Sequence, residues 1–151
     1  MASAKRLEEL IIWNLACELR DEIGERIAGG AGGRDWDFRD QIVRSSRSTA
    51  ANIAEGFGHF RPRPFANHLR IAHASAMETL NHNKEADIKG YFGPDDVIRF
   101  RRLSGRILRG VSKLILYLDS CDPHLDLRPR EPSRRTSPKT TKRRKPPART
   151  P

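Results

Sequence analysis

Apolar positions along the chain fall into four stripes. Leu7, Ile11, Ile12, Leu15, Leu19, Ile23 and Ile27 recur at steps of three or four, with charged residues between them. That is the period of an amphipathic helix, and it predicts a first helix over residues 5–28, ended by the glycine-rich run Gly29 to Gly33. Phe38, Ile42, Thr49, Ile53 and Phe57 form a second stripe, predicting a helix over about residues 35–57. Ser45, Ser46, Ala50 and Ala54 lie beside it, and side chains that small let a neighbouring backbone come close, so this helix is expected at the centre of the packing. Phe65, Leu69, Ala72, Ala76 and Leu80 make a third stripe, with Pro62 near its first turn, where a missing N–H costs nothing. The fourth stripe, Val97, Phe100, Ser104, Ile107, Val111, Leu114 and Leu118, alternates steps of three and four and so follows a heptad.

No sustained alternation of apolar and polar residues suggests a strand, and no Asn-Gly or similar dipeptide between apolar runs suggests a hairpin. Four helices with short connections predict an all-α fold, an antiparallel up-and-down four-helix bundle. Trp13, Ile115 and Tyr117 are surplus to a single stripe, which implies a second buried face and hence self-association. No apolar run approaches the roughly 20 residues of a membrane span, and the charged start "MASAKRLEEL" lacks the apolar stretch of a secretion signal. A cytoplasmic location is expected. Cys17 and Cys121 form no C-x-x-C pair and read as small buried hydrophobes.

The net charge of +10 is uneven. From Asp122 onward there are ten Lys or Arg against three acids, seven of the ten prolines, and no apolar residue larger than alanine beyond Leu127 apart from those prolines. Such a segment buries too little surface to offset its conformational entropy. The chain therefore divides into a bundle over 1–121 and a disordered basic tail over 122–151, with Arg143 and Arg144 at the centre of the tail's basic cluster.

The bundle portion carries only +3, so any strong field on it must come from clustering. The fourth helix supplies one: Arg99, Arg102, Arg106, Arg109 and Lys113 recur at steps of three, four, three and four, roughly 140° from the apolar stripe. No acid lies between Val97 and Leu118, so these cations have no partner within their own helix, and neighbours four apart repel. An outward row about 20 Å long suits a polyanion's phosphates. The opposing expectation is that Glu8, Glu9, Glu18, Asp21, Glu22 and Glu25 of the first helix supply the counter-ions. Arg61 and Arg63, flanking Phe60 and Phe65, are candidates for a further phosphate and base-stacking site.

The segment "TAANIAEGFGHF" places Ser48, Asn52 and Glu55 along one helical face, with Gly56 and Gly58 positioned to let the chain leave the helix at positive φ. It reads as a polar hinge rather than an active-site loop, because no nucleophile with a base, paired acids or ligand set accompanies it. This stretch, with "FANHLRIAHASAMETL" after it, resembles the bacterial four-helix bundle family first noticed in intervening sequences of 23S rRNA genes. The resemblance rests on Gln41, Arg44, Ser48, Asn52, Ile53, Ala54, Glu55, Gly56, Phe57 and Gly58, then Phe65, Leu69, Ile71, Ala72, Ser75 and Glu78. Ala74 stands where that family has glycine, and Arg61 with Pro62 where it often has a serine cap. The resemblance implies a homopentameric ring of bundles, and relatives that include the accessory variability determinant of diversity-generating retroelements, which binds nucleic acid and a reverse transcriptase.

His68, His73 and His82 do not align on one face of the third helix, and Glu78 with His82 occurs once, whereas a di-metal bundle needs its Glu-x-x-His motif twice. No metal and no cofactor are expected. The expected function is non-enzymatic: an oligomeric bundle binding RNA or DNA through the fourth helix and the tail, with a reverse transcriptase as the partner the resemblance implies. The alternative is an adaptor whose cations meet acidic protein surfaces without nucleic acid.

Overall fold

The computed structural model describes residues 4–129. Its four helices are α1 (Ile11–Gly29), α2 (Trp36–Gly58), α3 (Pro62–Lys89) and α4 (Pro94–Ser120). Each packs on its neighbours in order, and α1 closes the ring against α4, giving the all-α up-and-down bundle expected. The first helix begins later than residue 5. Leu7–Glu9 form a single 3-10 turn, and Leu10 is extended at φ −77°, ψ 107°. The Asn14 amide donates to the Glu8 carbonyl at 2.8 Å and ties that turn to α1. Leu10 thus occupies the N-cap position of α1 with no side-chain cap, and Ile11, expected on the buried stripe, is 70% exposed.

The other boundaries follow from local chemistry. Asp35 caps α2, its carboxylate accepting from the Phe38 N–H at 3.1 Å. The same carboxylate accepts from the Tyr91 hydroxyl at 2.7 Å and from Lys89 at 3.1 Å, which joins the start of α2 to the end of α3. These donors, the Tyr91 hydroxyl first, pull the Asp35 carboxyl down to about 2. Pro62 opens α3 without a side-chain cap, as its fixed φ allows. Gly90 closes the helix at φ 67°, a left-handed conformation that costs glycine little.

The core is layered from Leu15, Leu19 and Ile23 of α1, Ile42 and Ile53 of α2, Leu69 of α3, and Phe100, Ile107 and Val111 of α4. Each such side chain contributes on the order of 1.5–3 kcal/mol by leaving water. The α2–α3 contact is the most extensive, as the small residues of α2 imply. Leu80 and Leu114, expected on the buried stripes, are half-buried. Both cysteines are half-buried, and burial raises the Cys17 thiol above its ordinary pKa.

Beyond α4 the chain does not leave the bundle at residue 122. It returns, and Leu127 packs against the core while its N–H donates to the Phe60 carbonyl at 2.9 Å. Leu127 thus meets the bundle at the α2–α3 corner. The rest of the expected tail, including Arg143 and Arg144, lies outside the described residues.

Candidate nucleic-acid interface

The row of cations on α4 divides into two parts. Arg99 does not belong to the free surface: its guanidinium donates to Glu22 of α1 at 2.5 Å and to Glu18 at 2.7 Å. The hydrogen bonds to Glu22, first among the causes, raise the Arg99 pKa further and hold its charge. The expectation of a first-helix counter-ion is thus correct for this residue. It fails for the rest of the row, since among the described residues Arg102, Arg106, Arg109 and Lys113 are exposed and meet no carboxylate. Of the other first-helix acids, Asp21 is engaged by Arg20 at 2.8 Å and Glu9 by Arg6 at 3.2 Å, while Glu8 and Glu25 lie within 4 Å of none of the four. The four free cations span about 17 Å at the rise of an α-helix. Unpaired charges at that spacing suit a chain of phosphates.

At the opposite side of α3, the predicted motif residues form a polar seam. Ser48 and Ser75 hydroxyls meet at 2.9 Å across the α2–α3 contact, and the Thr79 hydroxyl donates to Ser45 at 2.9 Å. The Asn52 amide donates to the Ser48 carbonyl at 2.9 Å, and its own oxygen faces His68 Nδ1 at 3.3 Å. Gly56 is not the exit from the helix; it is buried inside α2. A Cβ there would stand 2.7 Å from the Phe65 ring and 2.9 Å from His68 Cβ, so glycine is required by the close approach of α3. The positive φ of this corner belongs to Phe60, at 52°. Gln41 and Arg44 lie outside the seam, exposed on α2, with Arg44 paired to Asp40 at 2.5 Å. Ala74 is exposed too, so its methyl group obstructs no buried helix contact.

The family model described as 23S rRNA-intervening sequence protein matches residues 8–113. This chain belongs to that family. A crystal structure of a protein of unknown function from the S23 ribosomal protein family of Bacteroides thetaiotaomicron is similar, with a TM-score of 0.62 and 21% identity. The alignment covers 70% of this chain and 98% of that one, which supports the fold alone. No curated protein matches.

In this member of the intervening-sequence protein family, Arg61 and Arg63 are exposed at the start of α3, but the aromatic residues beside them are not a free stacking platform. Phe65 is 5% exposed, and Phe57 packs against both Phe60 and Phe65. The returning segment also brings Asp126, itself paired with Arg128, near Arg61. A second basic surface escaped the sequence reading. Along the α1–α2 groove, Arg34, Arg39 and Arg47 lie beside Trp36, which is 73% exposed with the Arg39 guanidinium 4.9 Å from its ring centre. The available signal was Trp36 itself, which stands off the second stripe with arginines three and eleven residues later.

Proposed function

We propose that this protein is a non-enzymatic, oligomeric bundle of the cytoplasm that binds RNA or DNA by its phosphates. The observation that carries the reading is the unpaired set Arg102, Arg106, Arg109 and Lys113 on the outer face of α4. Four unpaired cations in a row repel one another, and a polyanion relieves that repulsion while releasing its own counter-ions. The basic residues beyond Pro129 add attraction that is independent of sequence. Exposed Ile11, Leu116 and Tyr117, on α1 and the last turns of α4, support self-association. The resemblance to the intervening-sequence proteins supports a homopentamer. The resemblance also supports an accessory role beside the reverse transcriptase of a diversity-generating retroelement.

The test is a salt titration of binding to a labelled single strand. Affinity is expected to fall steeply between low and physiological salt, and Arg102→Glu with Arg106→Glu to reduce both the affinity and the slope. Affinity that is indifferent to salt overturns the reading. The clasp of Arg99 by two carboxylates favours a second reading, in which the row meets an acidic protein surface. That reading gains if the double reversal dissociates the oligomer and leaves nucleic-acid affinity intact.

A further inference from the structure

The corner between α2 and α3 brings together three metal-ligating side chains that the sequence does not group. Glu55 and His59 are one helical turn apart, at the end of α2 and its C-cap. His68 faces them from the second turn of α3. Among the described residues, one ligand atom from each of the three lies within 4.8 Å of the other two. The two imidazoles present Nε2 to Nε2 at 3.2 Å. A metal about 2.0–2.1 Å from each nitrogen, at the tetrahedral angle, sets two such nitrogens roughly 3.3–3.4 Å apart.

The seam behind His68 also sets its tautomer. The Asn52 amide nitrogen faces the Ser48 carbonyl at 2.9 Å, where it must donate. Its oxygen is thereby turned toward His68 Nδ1, at 3.3 Å, where only an N–H makes a bond. An N–H on Nδ1 satisfies that oxygen, with a Glu55 carboxylate oxygen 3.8 Å from the same nitrogen, and leaves the Nε2 lone pair facing His59, the form a metal requires. A polar group on the far nitrogen of a ligating histidine, fixing its ring and tautomer, is a recurring feature of such sites. The backbone is equally constrained. Gly56 lets α3 approach until His68 Cβ is 2.9 Å from the position of a Cβ at 56, and the Phe60 turn and Pro62 fix the short link between ligands.

We propose that Glu55, His59 and His68 bind one divalent zinc ion, which clamps the end of α2 to the start of α3. Two histidines and a glutamate are a common zinc donor set, and three protein ligands leave one position open. Glu55 and His59 are exposed and His68 is half-buried, so the ion enters from solvent without unfolding. Nitrogen ligands of this kind favour zinc over magnesium or calcium.

Zinc chloride titrated into the full chain in a non-chelating buffer, followed by calorimetry and by thermal unfolding, tests the assignment. One ion per chain and a raised melting temperature are expected. His59 sits at an exposed helix end, so His59→Ala should fold normally and bind zinc at least tenfold more weakly. Asn52→Ala, which frees the His68 tautomer, should weaken binding ten- to a hundredfold. His73→Ala, on the same helix and outside the cluster, should leave it unchanged. Cobalt substituted for zinc should give the strong visible absorption of a tetrahedral site, lost in His59→Ala. Zinc held equally by the parent and by His59→Ala, or no zinc bound at all, overturns the proposal.

Discussion

Polar residues follow opposite rules on two regions of this bundle. Along the α2–α3 seam, Ser48 meets Ser75, Asn52 faces His68 and Thr79 donates to Ser45, each across the two helices. Along the outer face of α4, Arg102, Arg106, Arg109 and Lys113 use none of theirs on a carboxylate. The first arrangement holds helices at a set distance. The second leaves donors and charge available to something else. Arg99 shows that the distinction is one of surroundings rather than residue type, since the same helix carries it and α1 satisfies it with two glutamates.

The largest effect is expected where the seam is tightest. Gly56→Val places methyl groups against Phe65 and His68 with no room to retreat, because both belong to the opposing helix. Overpacking of this kind costs about 1–3 kcal/mol, read as a lower urea midpoint. The fraction that remains folded should still bind a labelled strand through α4. If Gly56→Val is as stable as the parent, the closeness of the two helices is not what this glycine serves.

A smaller effect separates the two kinds of arginine on α4. Arg106→Gln removes one phosphate contact and should lower the slope of log affinity against log salt by about 0.7–0.9. Arg99→Gln should leave that slope alone and instead lower the melting temperature slightly, by leaving Glu18 and Glu22 facing each other. Equal loss of slope in both variants would erase the distinction between paired and free cations.

The four helices were legible because burial imposes a 3.6-residue period, and Ile42, Leu69 and Ile107 keep to it without exception. Pro62 was legible as a helix start because its ring dictates one φ. Neighbours across the bundle were not. Periodicity gives the direction of Arg99 on its own helix, slightly to one side of the row, but not that α1 lies on that side with Glu18 and Glu22 in reach. His59 falls after Gly58, in what reads as a hinge, so it was never set beside His68. Only the turn at Phe60, a positive φ on a residue that gives no sign of it, folds one histidine onto the other. The role of Gly56 was misread for a related reason: its freedom suggested an exit from the helix, whereas what matters is the volume it leaves to α3.

The smallest effect lies at the other end of α2, where Asp35 obeys the rule of the seam. Asp35→Asn keeps an oxygen able to cap the helix and removes the charge that meets Tyr91 and Lys89. The folded carboxyl is held at about 2, below its ordinary 3.8, so its ionised form stabilises the fold. That contribution is complete above the ordinary value and disappears as pH falls through about 2. The variant should therefore be less stable than the parent near neutrality, and the two stability curves should converge in the window between those values. The Asp126 carboxyl, also held near 2, is untouched by the substitution and leaves its own share of the acid limb in both proteins. Denaturant midpoints at pH 7 and at pH 2 decide the matter. A deficit that persists undiminished in acid would mean that the shape of the cap, and not its charge, joins α2 to the end of α3.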